Sequence, residues 1–219
     1  MRGIQKFILG MLIGMFLLAL FNFNLFPYIK ANSTDSGYDG PDGEKSGASI
    51  GFLIVQGAGY SLTAQSETLK FMNRIEMSEI SGIDFNELEV IIAAAVDKMD
   101  RAKDVYWMLK VTADHTPYNP EVIEKLASFD YQGFQTRHGL NGPIFAEVKN
   151  FLKNGDIRGL YARMLADAEE LSGRLHGIKT MVDAGQFPEI YDLWRLNQEF
   201  SESLLLGQYA SEVFFQLDK

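Results

Sequence analysis

The stretch "FNELEVIIAAAVDKMDRAKDVYWMLKVTA", residues 85–113, decides the fold. Its positions Phe85, Leu88, Ile92, Ala95, Met99, Ala102, Tyr106, Leu109 and Ala113 alternate spacings of three and four without a miss. That 3.5-residue period is the seam of a helix packed lengthwise against others. Asp84 stands where an N-cap belongs, and Glu87 three residues later completes a start resembling a capping box.

A second seam runs through Ile157, Tyr161, Met164, Ala168, Leu171, Leu175, Ile178 and Val182. Gly185 lies just past its end, where a left-handed residue closes a helix. Phe187, Pro188 and Glu189 then open a final helix with a looser stripe of Leu193, Leu196, Phe200, Leu204, Gly207, Ala210 and Phe214. A connection of about three residues makes 157–184 and 188–216 an antiparallel hairpin. Between the two seams, "NPE" at Asn119–Glu121 and "NGP" at Asn141–Pro143 each start a short helix, and "QTRHGLNGP" separates them. The expected fold is all-α: an antiparallel bundle of about four long helices, one of them broken.

Upstream, residues 7–21, "FILGMLIGMFLLALF", form an unbroken apolar run. Arg2 and Lys6 precede it and no acid occurs before Asp35, so the positive flank stays cytoplasmic and the chain beyond the run is exported. The run matches the upper limit of a signal-peptide core and falls short of the ~20 apolar residues of a span. Extended to Phe26 it reaches spanning length, with membrane attachment through residues 7–26, while "IKA" ending at Ala31 offers a cleavage site. Residues 1–31 are therefore a signal peptide or a membrane anchor, residues 32–47 a flexible Asp-, Gly- and Ser-rich linker, and residues 48–219 the bundle domain. Residues 46–66 carry no charge but hold four glycines and several polar groups. They read as the first helix of the domain, or a strand-like lead into it, rather than as a second span. Helix signals are firmer from Ser66 to Met77.

After the first 31 residues, 17 basic residues face 29 acidic ones, a net charge of −12. Such a domain is repelled by nucleic acid and by anionic membranes. The chain has no cysteine, which excludes disulfides, thiolate metal sites and acylation on cysteine.

No nucleophile elbow, phosphate loop or zinc signature occurs, and no catalytic, cofactor or metal residue is assigned. His115 falls at a helix end, His138 in a turn, and His176 one position past the seam residue Leu175, on the solvent flank. Met99, Met164 and Met181 sit at helical spacing and read as core filler. "DKMDRAKD" (97–104) and "DAEE" (167–170) read as solvated charge. The final helix is apolar on every side, with Trp194, Leu205 and Phe215 off its stripe, and needs a cover all round. That face and residues 48–62 lack an assigned cover.

These features point to a non-enzymatic protein of the periplasm or cell envelope that binds another envelope protein or itself, with no nucleic acid and no cofactor. The alternatives are a bundle holding haem or a metal through His176 and Met99, Met164 or Met181, and a sensor with a small ligand between helices. Export is checked by fusing reporters after residue 47. A phosphatase reporter, active only outside the cytoplasm, is expected to work there. Activity of a cytoplasmic reporter at that junction refutes export, and N-terminal sequencing separates cleavage near Ala31 from retention.

Overall fold

The computed structural model describes residues 43–81, 84–115, 118–138 and 142–217. The chain divides into two units, residues 1–48 and 49–219, and the second holds the architecture set out here. The described residues form seven helices and no strand: α1 (Gly43–Ser81), α2 (Phe85–His115), α3 (Pro120–Ser128), α4 (Tyr131–His138), α5 (Pro143–Lys153), α6 (Ile157–Asp183) and α7 (Ile190–Leu217). Four of them, α1, α2, α6 and α7, have 39, 31, 27 and 28 residues. At 1.5 Å per residue these are rods of roughly 40–60 Å.

The helices start and stop where local chemistry dictates. Asp84 Oδ1 accepts from the amides of Asn86 and Glu87 at 3.0 and 3.3 Å, capping α2. Glu87 does not complete the expected reciprocal cap. Its carboxylate instead meets the Arg74 guanidinium of α1 at 2.6 Å, because a cation across the interface outcompetes a backbone amide. Asn119 caps α3 through the Glu121 amide at 3.0 Å, with Pro120 at the first helical position. Gly155 and Gly185, at φ +68° and +71°, close α5 and α6. At Gly185 the pattern is that of a Schellman motif: Gly185 N donates to Val182 O and Gln186 N to Met181 O, both at 2.9 Å.

Several boundaries differ from the sequence reading. The segment before "NGP" is two helices, α3 and α4, because Phe129 is extended (ψ 138°) and Asp130 caps anew through the Gly133 amide at 2.8 Å. Helix α4 runs on through "QTRH", so His138 is its last residue, with its ring 4.4 Å from that of Phe134. Helix α7 begins at Ile190, because the Glu189 carbonyl accepts its first bonds from Asp192 and Leu193. The connection is thus longer than the three residues expected. Helix α1 starts at Gly43, so residues 43–47 of the stretch read as linker are helical. Residues 48–62 are helical too and not strand-like. The apolar run and residues 32–42 lie outside the described residues. No described helix, α1 included, is long and apolar enough to cross a membrane.

Both seams are buried as their period requires. Every α6 seam residue is buried, and on α2 only Phe85 is partly covered, against Phe187 with ring centroids 4.8 Å apart. What the seams face is less obvious. The most extensive pairing is α2 with α6, more so than α6 with α7. Ser172 reaches Asp100 and Arg158 reaches the Ala113 carbonyl, so α2 and α6 run antiparallel. The α6–α7 pair is antiparallel as expected, with Arg174 against Glu199 and Met164 against Gly207, but it supplies a smaller share of the core.

Helix α1 lies antiparallel to α2, with Gly57 against Tyr106 at one level and Arg74 against Glu87 at another. On its other side Gln65 Nε2 donates to Asn197 Oδ1 (2.9 Å) and Ser201 Oγ (3.0 Å) of α7. A Cβ on Gly57 would come within 2.5 Å of the Tyr106 ring, whereas one on Gly59 meets nothing within 4 Å. Gly57→Ala is therefore expected to destabilise by about 1–3 kcal/mol through overpacking. Gly59→Ala is expected to stabilise by roughly 0.5–1 kcal/mol through helix propensity. Urea titrations of both variants check this, and similar changes would show that α1 does not pack on Tyr106.

Candidate functional site

Two polar groupings interrupt the apolar seams. The first lies across α2 and α6. Asp100 is one position beyond the seam residue Met99, and this brings its carboxylate to α6. Its Oδ1 accepts from Ser172 Oγ at 2.6 Å and from Lys103 Nζ at 3.2 Å, and its Oδ2 lies 2.9 Å from His176 Nε2. The segment "DKMDRAKD" is thus not uniformly solvated: Asp97 is exposed, whereas Asp100 is partly buried. Burial alone would raise the Asp100 pKa. The bonds from Ser172, His176 and Lys103 outweigh it and hold the carboxyl below its ordinary value.

Ser172, His176 and Asp100 are the residue types of a hydrolytic triad in a different order. In a triad the imidazole stands between hydroxyl and carboxylate and takes the hydroxyl proton. Here the carboxylate stands between the other two, and the buried Ser172 (3% exposed) spends its proton on Asp100. The arrangement positions the helices and does not activate a nucleophile.

The second grouping is a cleft of about 220 Å³ between α6 and α7. Ion-paired residues line it toward both ends. Arg163 bridges Asp167 and Glu147 of α5 at one, and Glu199 takes Arg174 and Arg195 at the other. Between them lie Glu170 and Leu171 of α6 and Glu202 and Ser203 of α7. Ser203 is 6% exposed. It occupies the strict seam position of α7, where the looser stripe had placed Leu204. Leu193, Leu196, Phe200, Leu206, Ala210 and Val213 are the buried apolar residues of that helix. Leu204 and Leu205 are half-buried, and the side chain of Phe215 lies outside the described residues.

The residues weighed as haem or metal ligands are not gathered together. Met99 and Met164 are buried, and Met164 lies against Gly207. Met181 is partly exposed, and His176 is exposed with Nε2 bonded to Asp100. His115 Nδ1 is bonded to the Val111 carbonyl at 2.8 Å. Among the described residues no three His, Asp or Glu side chains are placed to hold a metal ion. Burial pushes the Tyr106 hydroxyl up to about 12, so it stays protonated at neutral pH as a core group.

Of residues 48–62, Ile54, Gly57, Ala58 and Ser61 are buried and Phe52 is exposed, so one side of this stretch is covered. Large apolar side chains remain exposed elsewhere. Helix α7 opens with Ile190 (40% exposed), Tyr191 (72%) and Trp194 (45%), and α2 exposes Val90, Trp107 and Met108.

The described residues form an all-α helical bundle with polar groups set into its seams. Comparison with protein-family models, curated proteins and solved structures gives no match to the chain.

Replacing Asp100 by Asn removes a charge-assisted hub, and the expected cost is roughly 1–2 kcal/mol at pH 7. Because the folded-state pKa is depressed, the stabilisation is present above the ordinary carboxylate range and fades as pH falls through the folded value. Urea unfolding at pH 7 and pH 3 is expected to show the gap between wild type and Asp100→Asn narrowing at the lower pH. A gap independent of pH refutes the role of the charge.

Proposed function

We propose that this chain is an envelope protein, exported and either cleaved or anchored by its N-terminal apolar segment. Its four long helices act non-enzymatically by binding another protein. The observation that carries this reading is the apolar patch at the start of α7. Ile190 and Trp194 are spaced i, i+4, and Tyr191 and Trp194 i, i+3, so the three share one helix face. All three are exposed. Tyr and Trp are the residue types that most often dominate binding energy at interfaces, and a contiguous apolar face is the usual mark of one. The apolar segment at residues 7–21 behind Arg2 and Lys6 supports the envelope location. The haem- or metal-holding alternative has less support, since His176 is bonded to Asp100 and Met99 and Met164 are core residues.

The test is a photo-crosslinking residue placed at Tyr191 or Trp194 in the native host, with exposed Asp104 of α2 as control. A discrete crosslinked product from 191 and 194, absent from 104, is expected. Its mass tells an envelope partner from a second copy of the chain. The same background from all three positions removes this face as an interface.

A further inference from the structure

We propose that the outward face of α7 pairs with the same face of a second copy of this chain, antiparallel, about a two-fold axis at Gln198. The inference rests on the reading of the α7 opening as a protein interface, and it names what covers that interface. Tyr191, Arg195, Gln198, Glu202 and Leu205 follow one another at spacings of four, three, four and three. This is the rhythm of the buried seams, and here it runs on the other side of the helix from Leu193, Leu196, Phe200 and Ser203. The first four are exposed, with Trp194 beside them, and Leu205 is half-buried. Helix α7 thus carries one seam that this chain covers and a second that it leaves largely open.

The second seam is complementary to itself. In a two-fold contact, a residue some steps before the axis meets the residue as many steps after it. Tyr191 is seven before Gln198 and Leu205 seven after, so apolar meets apolar. Arg195 is three before and Glu202 four after, so cation meets anion, and symmetry makes the pair twice. A parallel pairing would set Arg195 against Arg195 and Glu202 against Glu202, which repel.

On the axis Gln198 meets its own copy. A carboxamide carries both donors and an acceptor, so it bonds to a copy of itself, as neither a carboxylate nor an ammonium does. Among the described residues its Nε2 gives one N–H to Glu202 at 2.9 Å, which leaves the second N–H and the carbonyl oxygen. Arg195 gives its Nε to Glu199 at 3.1 Å, and a guanidinium has further donors to give. An anionic lipid surface is a poorer occupant, because the chain carries a net charge of −9. The same charge opposes contact between two copies in general, and the Arg195–Glu202 pairs confine it to this face.

The chain has no cysteine, so single cysteines report contacts without background. The test places them in the full chain, purified in mild detergent and oxidised with copper phenanthroline. Gln198→Cys is expected to form a covalent dimer, because the two copies of residue 198 meet at the axis. Tyr191→Cys and Leu205→Cys are each expected to give little alone. Like positions there stand about 21 Å apart across the axis, and a disulfide needs Cα atoms within roughly 7 Å. Mixed together, these two variants are expected to crosslink to each other, and Asp104→Cys on exposed α2 surface serves as the control. In the Gln198→Cys background, Arg195→Glu and Glu202→Arg are each expected to lower the dimer yield about tenfold, and their combination to restore it. Helical circular dichroism confirms that the variants fold. Equal yields from residues 198 and 104, a 191–191 product as strong as the 191–205 product, or no rescue by the double reversal overturns the proposal. Capture of another protein by photo-crosslinkers at 191 and 194, with no disulfide at 198, leaves the interface reading standing and removes the second copy as its occupant.

Discussion

Close approach of α2 and α6 along a seam rich in alanine is the constraint around which the other helices arrange themselves. Ala95, Ala102 and Ala113 of α2 and Ala168 of α6 are fully buried, and their small side chains let the two backbones come near over nearly the whole length of both helices. Larger groups, among them Met99, Tyr106 and Tyr161, are buried as well, and one of them meets a further helix. Tyr106 does so against Gly57, which is why α1 carries a glycine at a position where the helix itself would prefer alanine. Loss of helix propensity at one position is offset by the burial of a whole aromatic ring.

With stability carried by the apolar seams, the polar groups along their edges are free to serve other ends. Most of the ion pairs here are solvent-exposed, such as Lys98–Asp97 and Lys125–Glu121, and pairs of this kind contribute little each. Asp100 differs because burial, two uncharged or weakly basic partners and one lysine converge on a single carboxylate. It fixes the rotation of α6 on α2 through Ser172, a residue that an apolar seam would not otherwise tolerate.

The final helix, apolar on every side in sequence, divides its surface in the fold. One side packs inward through Leu193, Leu196, Phe200, Leu206, Ala210 and Val213, while Leu204 and Leu205 are half-covered. Among its described side chains, the large exposed ones are in its opening turns. Ile190, Tyr191 and Trp194 are exposed there, whereas Leu205 of the face that composition suggested is half-buried and the Phe215 side chain lies outside the described residues.

Periodicity and capping, both local, determined a great deal by themselves. The seams of α2 and α6, the caps at Asp84 and Asn119 and the stops at Gly155 and Gly185 follow from residues within a few positions of one another, because a helix is closed by bonds of that range. The break at Phe129–Asp130 was also local, but no glycine or proline announced it. Ser203 was legible too: strict alternation of three and four from Phe200 leads to it, and only the preference for an apolar residue diverted the stripe to Leu204. What the tertiary structure alone decided was partnership. A seam states which side of a helix is buried and not against what, so the choice of α2 over α7 as the main partner of α6 rests on side-chain volumes matched across more than forty residues of intervening chain. The same holds for Asp100 with Ser172 and His176 and for the cleft at Glu170 and Glu202, whose members come together only when the helices are aligned.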